Sequence, residues 1–115
     1  LFTNLNYKAN VTRLIKKAFT DTRVLDWFSP RWKVINESNI IFKDADGTTQ
    51  TRRPDRVLTD GNETLVIDYK TGRQDQKHVE QVRQYMQLLT DMGLPHVRGY
   101  LWYMRRSDIV SINLT

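Results

Sequence analysis

The chain has 115 residues, enough for one domain with a conventional apolar core. It contains no cysteine, which excludes disulfide scaffolds, zinc ribbons and thiol catalysis. Lys and Arg number 18 against 13 Asp and Glu, and the resulting net charge of +5 fits either an ordinary soluble surface or a polyanionic partner.

Two helices are predicted at the N-terminal end. From Lys8 to Phe19, apolar residues recur every three or four positions, which is the period of a helix with one buried face. A second short helix or turn runs from Val24 to Phe28, and Ser29-Pro30 ends it because proline cannot continue a helix.

Three strands are predicted next. Trp32 to Phe42 is rich in β-branched and aromatic residues, and a hairpin turn follows at Asp44-Ala45-Asp46-Gly47. Thr49 to Thr59 is the second strand, and Asp60-Gly61-Asn62 is another turn. Thr64 to Lys70 is the third strand, and Thr71-Gly72 breaks it.

One long helix and two further strands complete the chain. The helix runs from Asp75 to Met92 and ends at Gly93-Leu94-Pro95. Val97 to Met104 and Ile109 to Leu114 are the last strands. The order α-β-β-β-α-β-β predicts one α/β domain over residues 1–115, built on a meander and one crossover. The apolar stripe of the long helix comprises Val79, Val82, Met86 and Leu89.

An acid and a base lie side by side at the end of the third strand. Asp68 and Lys70 are two residues apart, so both side chains leave the same face, while Leu65, Ile67 and Tyr69 leave the other. Strand ends are where α/β sheets usually place chemistry.

Asp55, on the preceding strand, is expected to lie beside Asp68. The turn around Gly61 joins the two strands as a hairpin, and pairing across it can bring both carboxylates together. Adjacent carboxylates repel each other, and a divalent cation is the usual remedy. Carboxylate oxygens with water suit Mg²⁺ or Mn²⁺.

Each of these signals has an ordinary alternative. Asp-x-Lys on a strand is often a surface ion pair, and Asp55 alone could be a turn or edge residue. On the long helix, Gln81 and Tyr85 are four residues apart and lie beside the apolar stripe, where they could reach over the sheet or form a solvated face. The combination favours a functional site.

Together these residues resemble the PD-(D/E)XK nuclease superfamily, and within it the RecB-type branch. That pattern has an aspartate, a strand ending Asp-Tyr-Lys-Thr and a helix with Gln-x-x-x-Tyr. The matching segments are Pro54-Asp55, Asp68-Tyr69-Lys70-Thr71 and Gln81-x-x-x-Tyr85. The resemblance covers roughly Trp32 to Tyr103, and it implies a restriction-endonuclease-like core, a mixed central sheet flanked by helices.

The resemblance also implies roles for individual residues. Asp55, Asp68 and the Tyr69 carbonyl would be metal ligands, and Lys70 would orient or activate water and steady the developing phosphate charge. Asp55, Asp68 and Lys70 would thus be catalytic. A second set would support the site or bind DNA, namely Glu37, Gln81, Tyr85, Arg53 and Arg73. Glu37 shares a strand face with Ile35 and Ile41 and points either toward the site or outward.

One feature departs from the family pattern. The branch usually carries a metal-binding histidine on a helix before the first strand, and the first helix here has none. That histidine is expected before Leu1, in a longer protein, so residues 1–115 alone are expected to bind metal weakly and cleave little. His78 is interpreted as a helix-face residue and His96 as a loop residue.

The leading hypothesis is a Mg²⁺- or Mn²⁺-dependent deoxyribonuclease domain, with exonuclease action favoured over endonuclease action. The strand Gly99-Tyr100-Leu101-Trp102-Tyr103 resembles the closing strand of nuclease domains fused to UvrD-type helicases, of the RecB and AddA kind. The resemblance implies DNA as substrate, an attached helicase domain, a possible partner subunit and a role in recombinational repair.

Two further hypotheses remain open. A non-catalytic nucleic-acid-binding domain would use a basic cluster, with Trp102 and Tyr103 stacking on bases. A structural interaction module is the third. The basic cluster comprises Arg52, Arg53, Arg56, Arg73, Lys77 and Arg83.

The expected location is the cytoplasm. No signal-peptide pattern opens the chain. No apolar run approaches the ~20 residues that span a bilayer, so no membrane association is expected.

Overall fold

A proline interrupts the long hairpin that the sequence predicts and divides it between two sheets. The computed structural model describes residues 12–13, 16–17, 19–35, 40–43 and 45–114. Residues 12–13 and 16–17 are helical, in agreement with the predicted first helix, whose positions 8–11, 14, 15 and 18 lie outside the described residues. The second helix, α1, is Thr22–Trp27, which overlaps the predicted Val24–Phe28 segment but begins two residues earlier and ends one residue earlier.

In the described part of the chain, seven strands and one further helix follow α1. Strands β1, β4, β5, β6 and β7 form a five-stranded sheet in the order β1-β4-β5-β6-β7, while β2 and β3 form a separate two-stranded sheet. Their bounds are β1 Lys33–Val34, β2 Ile40–Lys43, β3 Thr49–Arg52, β4 Arg56–Thr59, β5 Thr64–Lys70, α2 Gln76–Asp91, β6 Val97–Tyr103 and β7 Asp108–Ile112.

The main sheet is mixed. Strands β5 and β6 run parallel and are joined through α2, whereas the other neighbouring strands are antiparallel. Strand β5 has the predicted bounds, and α2 differs from prediction only in that Asp75 and Met92 are its caps. The order of elements predicted one crossover, and a helix is the usual way to join parallel neighbours.

Helices cover both faces of the sheet. On one face, α2 packs Val82, Met86 and Leu89 against Val66 and other strand residues. On the other, α1 contributes Val24 and Trp27 to a second cluster with Leu58, Ile67 and Trp102. The mixed sheet between helices confirms the predicted restriction-endonuclease-like α/β fold. None of the helices in the described part of the chain is long and apolar enough to cross a membrane.

Two predicted strands were wrong in extent. The predicted Trp32–Phe42 strand covers β1 and all of β2 except Lys43, with residues 36–39 outside the described residues, and the predicted Thr49–Thr59 strand contains β3 and β4. The pairing partners nevertheless keep one register, since Val34 pairs with Leu58, and Ile40, six residues later, pairs with Arg52, six residues earlier.

The break lies at Arg53-Pro54-Asp55, between β3 and β4. Proline has no backbone N–H, so it cannot donate to a neighbouring strand, and inside sheets it is confined to edges and irregular positions. Pro54 is also buried. The sequence signal for this break was present, but the apolar and β-branched residues on both sides favoured one continuous strand.

Helix α2 packs unusually close to the sheet at Gly99 in β6. A Cβ atom added there would lie 2.5 Å from Met86 Sδ and 2.6 Å from Val82 Cγ1. The missing side chain therefore sets the distance between α2 and β6, and with it the reach of the helix residues over the sheet.

We expect Gly99→Ala to destabilise the fold by about 1–3 kcal/mol, because Val82 is stiff at χ1 and cannot easily withdraw from the added methyl group. The measurement is the urea midpoint of unfolding. Gly72→Ala is the control, since no atom lies within 4 Å of its added Cβ. Equal midpoints for the two variants would contradict the close-packing account.

Candidate active site

The two predicted carboxylates face each other at the end of the β4–β5 pair. The last pair of the ladder is Arg56 with Ile67, and continuing that register sets Asp55 opposite Asp68. The backbone N–H of Asp55 donates to Asp68 Oδ1 at 3.4 Å. The side chains share the face covered by α2, as the hairpin predicted.

The proline break explains why Asp55 holds this position. Beyond Arg56 the β4 backbone no longer pairs with β5, so the Tyr69 N–H has no ladder partner on that side. It donates instead to Asp55 Oδ2 at 2.8 Å. The carboxylate thus replaces a backbone acceptor where proline has interrupted the strand, and its position is fixed by a charge-assisted hydrogen bond.

Lys70 neutralises the more buried of the two acids. Its Nζ lies 3.1 Å from Asp68 Oδ2, and Asp68 is only 4% exposed. A buried carboxylate requires a partner, because transferring an unpaired charge out of water costs several kcal/mol. Lys70 Nζ also donates to Gln81 Oε1 at 3.0 Å, so the ammonium is held between the sheet and α2.

Gln81 and Tyr85 both reach the site from α2. Tyr85 is 3% exposed and belongs to the core, so the solvated-face alternative is wrong for this residue. Burial raises the pKa of Tyr85, and the negative charges of Asp68 and Asp55 raise it further, while Arg52 and a hydrogen bond with Gln81 act against them. The tyrosine hydroxyl is therefore close to both carboxylates and stays protonated at neutral pH.

The electrostatics of Asp55 reflect its crowded neighbourhood. Loss of surrounding water raises the pKa of the Asp55 carboxyl above 3.8, and its hydrogen bond and charge repulsion with Asp68 raise it further. The Tyr69 N–H and the Lys70 ammonium lower it and only partly compensate. Without a cation, two ionised carboxylates at this position are held together against their repulsion.

The donor set fits a hard divalent cation. Asp55 and Asp68 supply carboxylate oxygens, the type of ligand that Mg²⁺ and Mn²⁺ prefer. The N–H and C=O of a strand residue point to the same edge. The Tyr69 N–H is bound to Asp55, so the Tyr69 carbonyl also faces the Asp55 side. The next residue faces the other way, because the Lys70 carbonyl accepts a hydrogen bond from Met104 N–H at 3.0 Å on the β6 side.

No third acidic or imidazole ligand joins this pair within the part of the chain that the structure describes, where no group of three or more such side chains lies together. Glu37, predicted as a supporting acid, lies outside the described residues. His78 Nδ1 lies 2.9 Å from the Tyr103 hydroxyl, and His96 is exposed in its loop. His78 lies on α2 and His96 in the loop before β6, the two positions that the sequence predicted for them.

A basic cleft of about 750 Å³ runs along α2 beside the site. Gln81, which accepts a hydrogen bond from Lys70, lines this cleft. Three of the predicted basic residues line it as well, namely Arg52, Lys77 and Arg83. Arg83 pairs with Glu80 at 2.9 Å, whereas Arg52 and Lys77 form no ion pair with any described residue. The rest of the lining comprises His78, Glu80, Gln84, Gln87 and Leu114.

The structure does not gather the whole predicted basic cluster. Arg53 is exposed next to Pro54, and Arg73 lies in the loop after β5. Arg56 packs on the opposite face, with its guanidinium 4.3 Å from the Phe28 ring and Nη2 donating to the Trp27 carbonyl. Placing Arg56 at the site was wrong because residues alternate along a strand, and Arg56 follows Asp55 directly.

Trp102 and Tyr103 are too deeply buried to be available for stacking on bases. Each is only 3% exposed, because β6 lies inside the sheet and is covered on both faces. Tyr103 is nevertheless a site neighbour that the sequence did not reveal, since it pairs in register with Lys70. A parallel register across a helical crossover has no short-range sequence signal, so this neighbour could not be found from spacing.

Comparison with protein families gave a match whose range includes the site. A family model for the PD-(D/E)XK nuclease superfamily matches residues 9–108, which is most of the chain. Searches of the curated proteins and of the solved structures gave no significant match.

We expect Asp55→Asn to stabilise the cation-free protein at neutral pH by about 0.2–1 kcal/mol, the range for solvent-screened charges. Asparagine keeps an oxygen for the Tyr69 N–H and removes the repulsion with Asp68. A raised pKa means that the ionised form destabilises the fold above that pKa. The gain should therefore shrink as pH falls through the raised pKa toward 3.8.

The measurement is the unfolding midpoint across this pH range in the presence of a chelator. Asp108→Asn is the matched control, because it removes one negative charge from an exposed strand position. A loss of stability in Asp55→Asn at neutral pH would contradict the repulsion.

Proposed function

Because the chain belongs to the PD-(D/E)XK nuclease superfamily, we propose that it is a divalent-cation-dependent deoxyribonuclease that hydrolyses phosphodiester bonds at Asp55, Asp68 and Lys70. One observation carries the proposal. Two carboxylates oppose each other across the β4–β5 pair, with a lysine ammonium 3.1 Å from the more buried one. Two acids and a base at one position can hold a divalent cation and stabilise a developing phosphate charge, which metal-assisted phosphodiester hydrolysis can use.

Asp55, Asp68 and the Tyr69 carbonyl would hold Mg²⁺ or Mn²⁺. The bound cation would polarise a phosphoryl oxygen and lower the pKa of a water molecule. The chain fixes the two carboxylates through main-chain hydrogen bonds, one donated by Asp55 N–H and one accepted by Asp55 from Tyr69 N–H. Ligands held by backbone groups lose little conformational entropy when the site is used.

Lys70 would act on the phosphate and on the attacking water. Its ammonium is half-buried and is held from two sides, by Asp68 and by Gln81. A positive charge fixed in a site with little water stabilises the charge that develops on a phosphoryl oxygen more strongly than a solvated lysine does. Gln81 would be a positioning residue, because it orients Lys70, and Tyr85 would support Gln81.

The cleft along α2 is suited to a nucleic acid strand. Arg52 and Lys77 lack ion-pair partners among the residues that the structure describes, and Gln81 links the cleft to Lys70. Cations along a groove bind phosphates irrespective of sequence. Arg53 and Arg73, both exposed, would extend this basic surface.

A more specific assignment than a deoxyribonuclease rests on the sequence resemblance to nuclease domains of the RecB and AddA kind. It comprises exonuclease action, an attached ATP-dependent helicase domain with a partner subunit, a role in recombinational repair and a cytoplasmic location. The motif segments that support it are Asp68-Tyr69-Lys70-Thr71 and Gln81-x-x-x-Tyr85.

A second candidate is a non-catalytic nucleic-acid-binding domain with the same fold. One observation favours it. Among the described residues, the two carboxylates have no third acidic or imidazole ligand beside them. Mg²⁺ demands near-ideal octahedral coordination, so water would have to fill the remaining positions.

We expect slow cleavage of plasmid and single-stranded DNA in Mg²⁺ or Mn²⁺, and Asp68→Asn should reduce it about a hundredfold or more, the usual cost of misplacing a reacting group. Asparagine preserves the shape of Asp68 but lacks its charge. Asp108→Asn should cleave like the unchanged chain. Equal rates for the unchanged chain and Asp68→Asn would overturn the nuclease proposal and support the non-catalytic candidate.

We expect Lys70→Ala to lower cleavage by about 10²–10⁴-fold, the range for a positioned proton-transfer or charge-stabilising group. DNA binding, followed by fluorescence anisotropy in a chelator, should change little, because Lys70 already pairs with Asp68 and Gln81. Lys43→Ala, at an exposed position of β2, is the control. If binding and cleavage fall in proportion, Lys70 anchors a phosphate instead.

A further inference from the structure

Three arginines surround a small pocket apart from the cleft along α2, and of the three only Arg73 has a role in the proposed function. The pocket has a volume of about 230 Å³ and lies beyond the C-terminal ends of β5 and β6. Arg73 comes from the loop after β5, and the other two come from the β6–β7 turn. The lining consists of Thr71, Gly72, Arg73, Tyr103, Arg105 and Arg106.

The charges of this arginine pocket are uncompensated. Arg73, Arg105 and Arg106 form no ion pair with any residue in the described ranges, and no acid lines the pocket. Arg31 and Arg98, in contrast, each contact Glu63. Like charges gathered without counter-ions repel each other, and an anion removes that repulsion.

The turn that carries two of the arginines is ordered by backbone hydrogen bonds. Arg106 N–H donates to the Tyr103 carbonyl and Ser107 N–H to the Met104 carbonyl, both at 3.3 Å. Ser107 has a φ of 55°, which closes the turn before β7. The arginines therefore project from a defined backbone next to the strand ends.

The pocket is adjacent to the proposed catalytic lysine. Lys70 and Tyr103 are register partners, and Tyr103 lines the pocket. Thr71 and Gly72, which also line it, are the two residues after Lys70, a distance of about 7 Å for extended chain. Ligands of open α/β sheets commonly bind beyond the carboxyl ends of the strands.

We propose that the arginine pocket binds the terminal phosphate monoester of a nucleic acid strand and places a neighbouring phosphodiester at Asp55 and Asp68. An internal phosphodiester carries one negative charge, whereas a phosphate monoester carries about −1.5 to −2 at neutral pH. Three guanidinium groups match the dianion better, and each can donate two parallel hydrogen bonds to phosphate oxygens. The strand end is then recognised by its charge.

This inference rests on the proposed function for the nature of the ligand, a nucleic acid strand, and it assigns the enzyme an end-directed mode of action. The test measures binding without cleavage. The probe is a short oligothymidylate labelled on an internal base, in three forms: with a 5′-phosphate, with a 3′-phosphate and with hydroxyls at both ends. Affinity is measured by fluorescence anisotropy in a chelator at low salt.

For the unchanged chain, one phosphorylated form should bind about fivefold to tenfold more tightly than the hydroxyl form, since one charge-assisted hydrogen bond net of screening contributes roughly that much. The phosphorylated form that binds more tightly, 5′ or 3′, shows which end of the strand the pocket recognises. In Arg105→Gln/Arg106→Gln and in Arg73→Gln the ratio should approach one. Arg98→Gln, at the other end of β6, is the control and should keep it.

The ratio between probe forms cancels the general loss of positive charge in each variant. A ratio near one in the unchanged chain for both phosphorylated forms would overturn the proposal. So would an unchanged ratio in the arginine variants, or an equal weakening toward all three probes, which would indicate contacts with internal phosphates. The binding assay contains no divalent cation, so its result does not depend on cleavage. If the chain keeps its preference for a phosphorylated end but does not cleave DNA in Mg²⁺, only the proposed function is overturned.

Discussion

The candidate site depends on one constraint, the loss of strand pairing at Pro54. Because proline cannot donate a backbone hydrogen bond, the chain just before Arg56 does not pair with β5. The freed N–H of Tyr69 then takes the Asp55 carboxylate as its acceptor. A regular ladder would satisfy that N–H with a carbonyl and leave Asp55 free to turn toward water. The interruption is therefore what holds Asp55 against Asp68.

Neighbouring side chains offset the negative charge next to Asp55. Asp68 is buried at the end of an apolar strand, so it needs a cation in contact, and Lys70 provides one from two residues further along the same face. Gln81 reaches Lys70 because α2 approaches β6 closely at Gly99. The site is thus built from strand alternation, helix packing and one proline.

The sequence predicted those parts of the fold that have strong local patterns. Strand β5 contains the apolar run Leu65-Val66-Ile67 and is followed by a glycine break, and α2 has a long apolar stripe between a capping aspartate and a glycine, so both were predicted within a residue of their bounds. The division of the hairpin was missed because Pro54 is one residue among many β-formers. The burial of Trp102 was missed because it depends on β6 having neighbours on both sides and helices on both faces, which are contacts between distant parts of the chain.

The same distinction applies to the basic residues, and it divides the arginines into two kinds. Arg31 pairs with Asp26 and Asp60, and Arg83 pairs with Glu80, so acids within the protein largely neutralise their charges. Arg52 beside α2 and Arg105 beyond β6 have no ion-pair partner among the described residues. A net charge of +5 cannot distinguish the two kinds. Only the positions of the arginines distinguish them. Those without ion-pair partners place positive charge on two surfaces, the cleft along α2 and the arginine pocket, next to Asp55 and Asp68. An approaching polyanion is attracted to those surfaces and repelled by the carboxylates themselves, so a cation that neutralises Asp55 and Asp68 would strengthen the binding of a phosphodiester between them.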